Sequence, residues 1–303
     1  MLILTLVATL ASGMVWQQWR AIQVEGAERA RTQAAWILSG ALDWARLILR
    51  EDARTGGADH LGEPWAVPLA EARLSSFLAV DRDNNSAADS DEIEAFLSGS
   101  ITDAQARWNL RRLIGTDGKV AESQKRVLQR LCDQAGLPSD SADRITVALR
   151  KAWGTGTAAE DAAIAPRRLA ELAWLGIDAD TLRRLDPWVT LLPASDTPVN
   201  VNTAAAEVIA AAVEGMSLGS AQRLLQERQR SPIRDPRTQP SRGFFPADPI
   251  DLDGVSGSSR FFIVQGRLRL GDRVLEERSL IERRPQLDIV VRARERINLR
   301  DGN

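Results

Sequence analysis

The side chains best suited to chemistry lie between Asp81 and Glu92, in the run DRDNNSAADSDE. Taken as a twelve-residue calcium loop, it places Asp81, Asp83 and Asn85 at positions one, three and five, Asp89 at nine and Glu92 at twelve. That is an oxygen-rich set of the kind a hard divalent cation takes. Two positions depart from the pattern: Ser86 stands at six, where the sharp turn asks for glycine, and Ala88 at eight, where a larger apolar residue packs. A solvated acidic loop rich in Ser, Ala and Asn accounts for the same residues without a ligand. Calcium, at a weak site, is the one cofactor this sequence suggests.

Other chemistry is poorly supplied. His60 and Cys132 are the only residues of their kinds, which leaves nothing for a Cys-rich metal site, an intrachain disulfide or a nucleophile paired with histidine. His60, in ADHLGEPWA, reads as a turn residue, and Cys132, four residues after Leu128, as a small core side chain. No G-x-S-x-G, P-loop or G-x-G-x-x-G is present, so an enzyme is not expected. The 39 basic and 41 acidic residues are interspersed and leave a net charge of −2, which advertises neither a nucleic-acid surface nor an acidic tail.

The elements that must position these residues begin with one long helix. Met1 to Trp16 carries no charge, and Leu2, Ile3, Leu4, Leu6, Val7, Leu10, Val15 and Trp16 are its membrane-directed side chains. From Trp16 to Arg50 apolar and small residues recur three or four apart, through Ala34, Ile37, Ala41 and Trp44 to Ile48. No proline interrupts before Pro64, so fifty residues would form a rod of about 75 Å. The first part suits lipid and the second suits packing on a folded domain, with Ala34, Ile37, Ala41 and Trp44 as the partner-binding face. Spanning hydrocarbon takes roughly 20 residues, which makes the uncharged run marginal. Arg20, Arg29 and Arg31 follow it and nothing basic precedes it, so an upstream leader is expected.

Beyond a Gly- and Pro-marked loop, Leu69 to Val80 has the spacing of a short amphipathic helix, and the segment around Ile101 that of a strand. Residues 118 to 246 are helical in pattern: Ser123 to Ala135, Asp140 to Trp153, Pro166 to Leu175, Asp178 to Leu185, Ala204 to Val213 and Ala221 to Gln229. The last two read as a helix-hairpin-helix, capped by Asn202 or Thr203 and opened again by Gly219 or Ser220. Its turn could present backbone N–H groups to a DNA phosphate, with Arg223, Arg228 and Arg230 supplying charge. Yet the turn reads EGMSLGS, and Glu214 at its mouth repels phosphate, so structural use is preferred. Residues 260 to 293 alternate as antiparallel hairpins: Arg260 to Leu270, Val274 to Glu282 and Gln286 to Ala293.

Three segments carry a family resemblance: DHLGEPWAVPL, FLSGSITDAQARWNL and LPASDTPVNVNTAAAEVIAA. Together they resemble general secretion pathway protein K, the large minor pseudopilin of bacterial type II secretion, over residues 1 to about 295. The resemblance implies an α+β, pilin-like fold: a long N-terminal helix on an antiparallel sheet, with a large inserted all-α domain of two small SAM-like, helix-hairpin-helix-like subdomains. The expected division is 1–19 for the transmembrane or filament-core part and 20–117 for the amphipathic helix and first part of the αβ domain. The insertion then takes 118–246, in subdomains of about 118–190 and 191–246, and the completing hairpins 247–303. The family implies a role at the tip of a pseudopilus, with I-type and J-type minor pseudopilins, other pseudopilins and the inner-membrane secretion platform as partners. A single inner-membrane pass with the bulk of the chain in the periplasm goes with it. The competing reading from the hairpin is a membrane-anchored DNA-binding protein of the uptake or competence type, for which nucleic-acid binding would have to overcome Glu214.

Overall fold

A computed structural model describes residues 2–74, 95–154, 164–238, 241–246, 252–271 and 273–299. In chain order its elements begin with helix α1 (Leu2–Thr55) and strands β1 (Leu69–Arg73), β2 (Ala95–Asp103) and β3 (Trp108–Asn109). Helices α2 (Glu122–Gln134), α3 (Ser141–Trp153) and α4 (Ala179–Leu185) follow, then β4 (Val189–Thr190), β5 (Val199–Asn200), α5 (Ala206–Ala212) and α6 (Leu218–Arg230). Strands β6 (Val255–Ser256), β7 (Phe261–Leu270), β8 (Arg273–Arg284) and β9 (Asp288–Leu299) close the chain. The architecture is α+β: α1 lies on a five-stranded antiparallel sheet of order β1-β2-β7-β8-β9, and the helices between β2 and β7 form a separate body.

Helix α1 runs 54 residues, about 80 Å, and stops at Gly56 and Gly57, whose φ values of 64° and 143° leave the helical region. Its sheet-facing stripe is Ala34, Leu38, Leu42, Ala45 and Leu49. These pack in two clusters, the first on Leu97 and Leu268, the second on Ile101, Phe262, Val264, Ile281 and Ile289. Each buried leucine contributes about 1.5–3 kcal/mol. A narrow point fixes the approach: a Cβ at Gly266 would lie 3.2 Å from Leu38 Cδ2. Trp65, fully buried, closes the far end edge-on to Phe262 at 5.2 Å.

Three expectations change here. Leu69 to Val80 was to begin a helix, yet Leu69–Arg73 pairs antiparallel with β2, Leu69 opposite Gly99 and Arg73 opposite Phe96. The pairing overrides local helix preference, with the Arg73 guanidinium 5.7 Å from the Phe96 ring centre. The segment Pro166 to Leu175 is a 3₁₀ stretch over Leu169–Leu175, ended by Gly176 at φ 84°. The last strand starts at Asp288, because Pro285, Gln286 and Leu287 make the turn, the latter two with positive φ.

The helical body has its own apolar core, drawn from Trp108 to Val255. Two short parallel pairs, β3 with β4 and β5 with β6, tie its ends. At Gly257 a Cβ would fall 2.1 Å from the Ile233 carbonyl oxygen, so the chain passes there only as glycine. Cys132 sits in this core, and burial pushes its thiol up to about 12, as befits a packing residue.

Candidate functional site

The calcium-loop residues Asp81, Asp83, Asn85, Asp89 and Glu92 lie outside the described residues. The side chains expected to meet the membrane are placed on the free half of α1: Leu2, Ile3, Leu6, Val7, Leu10, Val15 and Trp16 are all exposed, and Leu4 shares their helix. Among the described residues no helix is long and apolar enough to cross a membrane. Polar residues follow immediately at Gln17, Gln18 and Arg20 and shorten the apolar length.

The expected partner-binding face needs correction. Ala34 is fully buried on Leu97 and Leu268, and Ile37 and Ala41 pack beside it, so three of the four residues face the chain's own sheet. Trp44 alone is half exposed, at 50%. Apolar residues occupy several sides of this helix, and spacing alone leaves their rotation open. The bulk of tryptophan decides it, because Ala45 and Gly266 allow the close approach that Trp44 would block. On the side away from the sheet, Trp36 (75% exposed), Trp44 and Leu47 (57% exposed) fall at near-helical spacing and form the outward apolar stripe.

In the hairpin, α5 begins after Ala205, not after a cap by Asn202 or Thr203, whose side chains turn inward. Helix α6 is capped by Ser217, which accepts from the Ser220 N–H. Arg228 donates to the carbonyls of Val201 and Ala204 at 2.7 and 2.6 Å, and burial lowers its pKa. Arg223 bonds Ser220, and Glu214 pairs with Arg126 at 3.9 Å. One of the three arginines is thus spent on the fold, and an acid stands at the turn. Through Arg228 the hairpin is tied to the carbonyls of its own fold.

What sequence reasoning missed is a buried polar junction where the end of α1, the sheet and the helical body meet. Arg283, on β8, donates to Asp52 Oδ2 at 2.7 Å, to both oxygens of Asp59 at 2.6 Å, and to the Ser259 carbonyl at 2.7 Å. Its guanidinium also lies 5.0 Å from the Phe262 ring centre. Asp59 accepts from the Ser259 N–H at 2.6 Å, and the Ser259 hydroxyl donates to Asp103 Oδ2 at 2.6 Å. Asp103 also accepts from Asn200, Thr203 and the Gln105 N–H. Burial pushes the Asp103 carboxyl above its ordinary range against the pull of those donors. Asn202 extends the chain of bonds to the Ile233 backbone and the Gly257 carbonyl.

Asp52, Asp59 and Glu63 bring carboxylate oxygens within 4.8 Å of one another, a spacing that would also suit a cation. Arg283 already supplies the positive charge there. A cavity of about 550 Å³ opens beside this cluster, walled also by Gln105, Asp196 and Arg260. The only signal in the sequence was indirect: Asp59, Asp103, Asn200 and Thr203 all stand in or beside the three segments that carried the family resemblance.

A long helix, half free and half laid on an antiparallel sheet, with a helical body inserted between two strands, defines a pilin-like αβ protein carrying an all-α insertion. Two family models described as type II secretion system (T2SS), protein K match residues 106–194 and 199–239, both within the helical body. The type II secretion system protein K of Pectobacterium carotovorum subsp. carotovorum is 26% identical over 311 residues, covering 93% of this chain and 89% of the relative. That of Pseudomonas aeruginosa is 28% identical over 305 residues, covering 90% and 83%. In fold, the chain is similar to one in the crystal structure of the GspK-GspI-GspJ complex from the enterotoxigenic Escherichia coli type 2 secretion system. There the TM-score is 0.63 at 18% identity, over 90% of this chain and 99% of that one. By these matches the chain is similar to type II secretion system protein K over about nine-tenths of its length.

Proposed function

We propose that this chain is a minor pseudopilin that acts by assembly, not catalysis: it sits at the tip of the type II secretion pseudopilus, initiates the filament and supports export of folded proteins. The observation that carries the reading is the free half of α1, an exposed apolar rod projecting from a unit that buries the helix only from Ala34 onward. Such a surface is stable only against lipid or other apolar helices. On this reading the chain is anchored in the inner membrane, with the sheet and helical body in the periplasm. The bulk of that body stands where a further subunit would add.

I-type and J-type pseudopilins are the proposed partners, because the structural neighbour belongs to a GspK-GspI-GspJ complex. They meet the outward stripe of Trp36, Trp44 and Leu47, together with the free half of the helix. The test is co-purification with I-type and J-type pseudopilins. Trp36→Asp with Leu47→Asp abolishes the complex and leaves the melting temperature unchanged. Ile37→Asp with Ala41→Asp instead destabilises the fold, since those residues pack beside Leu97 and Leu268. Undiminished co-purification of the Trp36/Leu47 variant overturns the assignment.

A further inference from the structure

Strand β9 closes one side of the five-stranded sheet and pairs with β8 along its length, so its other edge has no strand beside it. In an antiparallel ladder each residue turns its N–H and C=O to the same side, and successive residues alternate. The Arg283 N–H donates to the Arg260 carbonyl at 2.7 Å, which turns Arg283, and with it Ile281, Ser279 and Glu277, toward β7. Leu280, Arg278 and Glu276 therefore turn toward β9, where they face Ala293, Glu295 and Ile297. Arg294, Arg296 and Asn298, which alternate with these, turn their N–H and C=O groups outward. The same alternation turns Ile289 outward ahead of the bulge, and there the Arg46 guanidinium donates to its carbonyl at 2.9 and 3.1 Å. Among the described residues that is the one side chain bonded to the outward backbone of β9, and it closes the edge at its first strand residues only.

Arg294 and Arg296 place their side chains on the α1 face of the sheet, where both reach the buried Glu277 carboxylate, at 3.1 and 3.3 Å. One acid thus answers two guanidiniums that are 35% and 58% exposed, and this face of the edge carries positive charge in excess. Glu295 alternates onto the opposite face and pairs with Arg168 of the helical body. Two copies pairing antiparallel through Arg294, Arg296 and Asn298 would set Arg296 opposite Arg296, and like charges directly opposite destabilise a ladder. The arginines and the bulge at Leu280 and Ile281 therefore guard the edge against a second copy, while the same charge favours a strand that brings acids.

We propose that the outer edge of β9, from Arg294 to Asn298, is a strand-docking site for an extended acidic segment of another protein, added antiparallel as a sixth strand with a carboxylate opposite each of Arg294 and Arg296. Main-chain hydrogen bonds supply the affinity of such a mode, and the two arginines select the sequence. The site lies apart from the outward stripe of α1 and does not depend on the partners proposed to meet that stripe.

The test is binding of a capped decapeptide alternating glutamate and threonine to the full chain in detergent, followed by fluorescence anisotropy. Glutamates opposite Arg294 and Arg296 turn their own N–H groups to β9, and the threonines turn theirs away. N-methylation at every glutamate therefore weakens binding about tenfold or more, whereas N-methylation at every threonine leaves it within about twofold. A twin with lysine for glutamate also binds about tenfold more weakly. Arg296→Gln weakens the glutamate peptide about threefold, with Arg294 still holding Glu277. Hydrogen exchange at the Arg294 and Arg296 amides slows when the peptide binds. No saturable binding up to about 1 mM overturns the proposal. Equal binding by the lysine twin or the glutamate-methylated twin, or unchanged affinity in Arg296→Gln, overturns it too. The peptide twins on the wild-type chain decide if Arg296→Gln does not fold.

Discussion

Along α1 the two halves differ in what surrounds them, not in how they are made. Val15, Trp19 and Ile22 are as apolar as Leu38, Leu42 and Leu49, yet the first three are exposed and the last three buried. The helical hydrogen bonds are the same in both, so the contrast isolates the contribution of the sheet. Helix formation is a local property of α1, whereas its stability is contributed by about four turns over β7, β8 and β9. The junction at the helix end makes a second contrast with the apolar body behind it: one region is held by area, the other by paired charge.

The sharpest way to break that second contrast is Arg283→Met. It strands Asp52 and Asp59, both buried, and costs about 3–5 kcal/mol in urea unfolding, the penalty typical of a buried pair that loses one partner. The two halves of α1 separate next. Leu49→Ala, at a fully buried position, costs about 2–5 kcal/mol, whereas Ile22→Ala stays within about 0.5 kcal/mol. Equal losses would mean that the free half packs on the folded unit.

Within the hairpin, Arg228→Met leaves the Val201 and Ala204 carbonyls without their donor and costs about 1–3 kcal/mol. Arg223→Ala, on the exposed face, changes stability by less than about 0.5 kcal/mol. A salt-sensitive DNA affinity that drops in both variants would restore the competing reading of the hairpin. The smallest effect is calcium at Asp81, Asp83, Asn85, Asp89 and Glu92. At a concentration near Kd the gain is about 0.4 kcal/mol, read as a small rise in melting temperature. That rise disappears in Asp81→Ala with Glu92→Ala; a rise of equal size in wild type and variant places the ligands elsewhere.

The sequence carried the long helix, the C-terminal hairpins and the helical body because each is written in local periodicity. It could not carry the rotation of α1. Ala34, Ile37, Ala41 and Ile48 satisfy the helical repeat as well as Ala34, Leu38, Leu42, Ala45 and Leu49 do, and only the narrow gap over Gly266 chooses between them. Strand β1 was read as helix because its partner β2 is distant in sequence, with Leu69 opposite Gly99, outside any local window. The junction was illegible for the same reason in stronger form. Asp52, Asp103, Asn200, Ser259 and Arg283 are scattered over more than two hundred residues, and no spacing rule brings them together.

The gap at Gly266 also sets a lever. Leu38 and Leu49 are about 16 Å apart along the axis, while Leu2 lies about 70 Å from Leu49. If the Leu49 end stays fixed and the helix is lifted by about 1 Å over Leu38, the tip of the rod swings by about 4 Å. That is nearly half the 8–10 Å that separates packed helix axes. A methyl group at Gly266 would therefore be felt most at the far end of the helix, as a change in the angle at which the rod meets its neighbours.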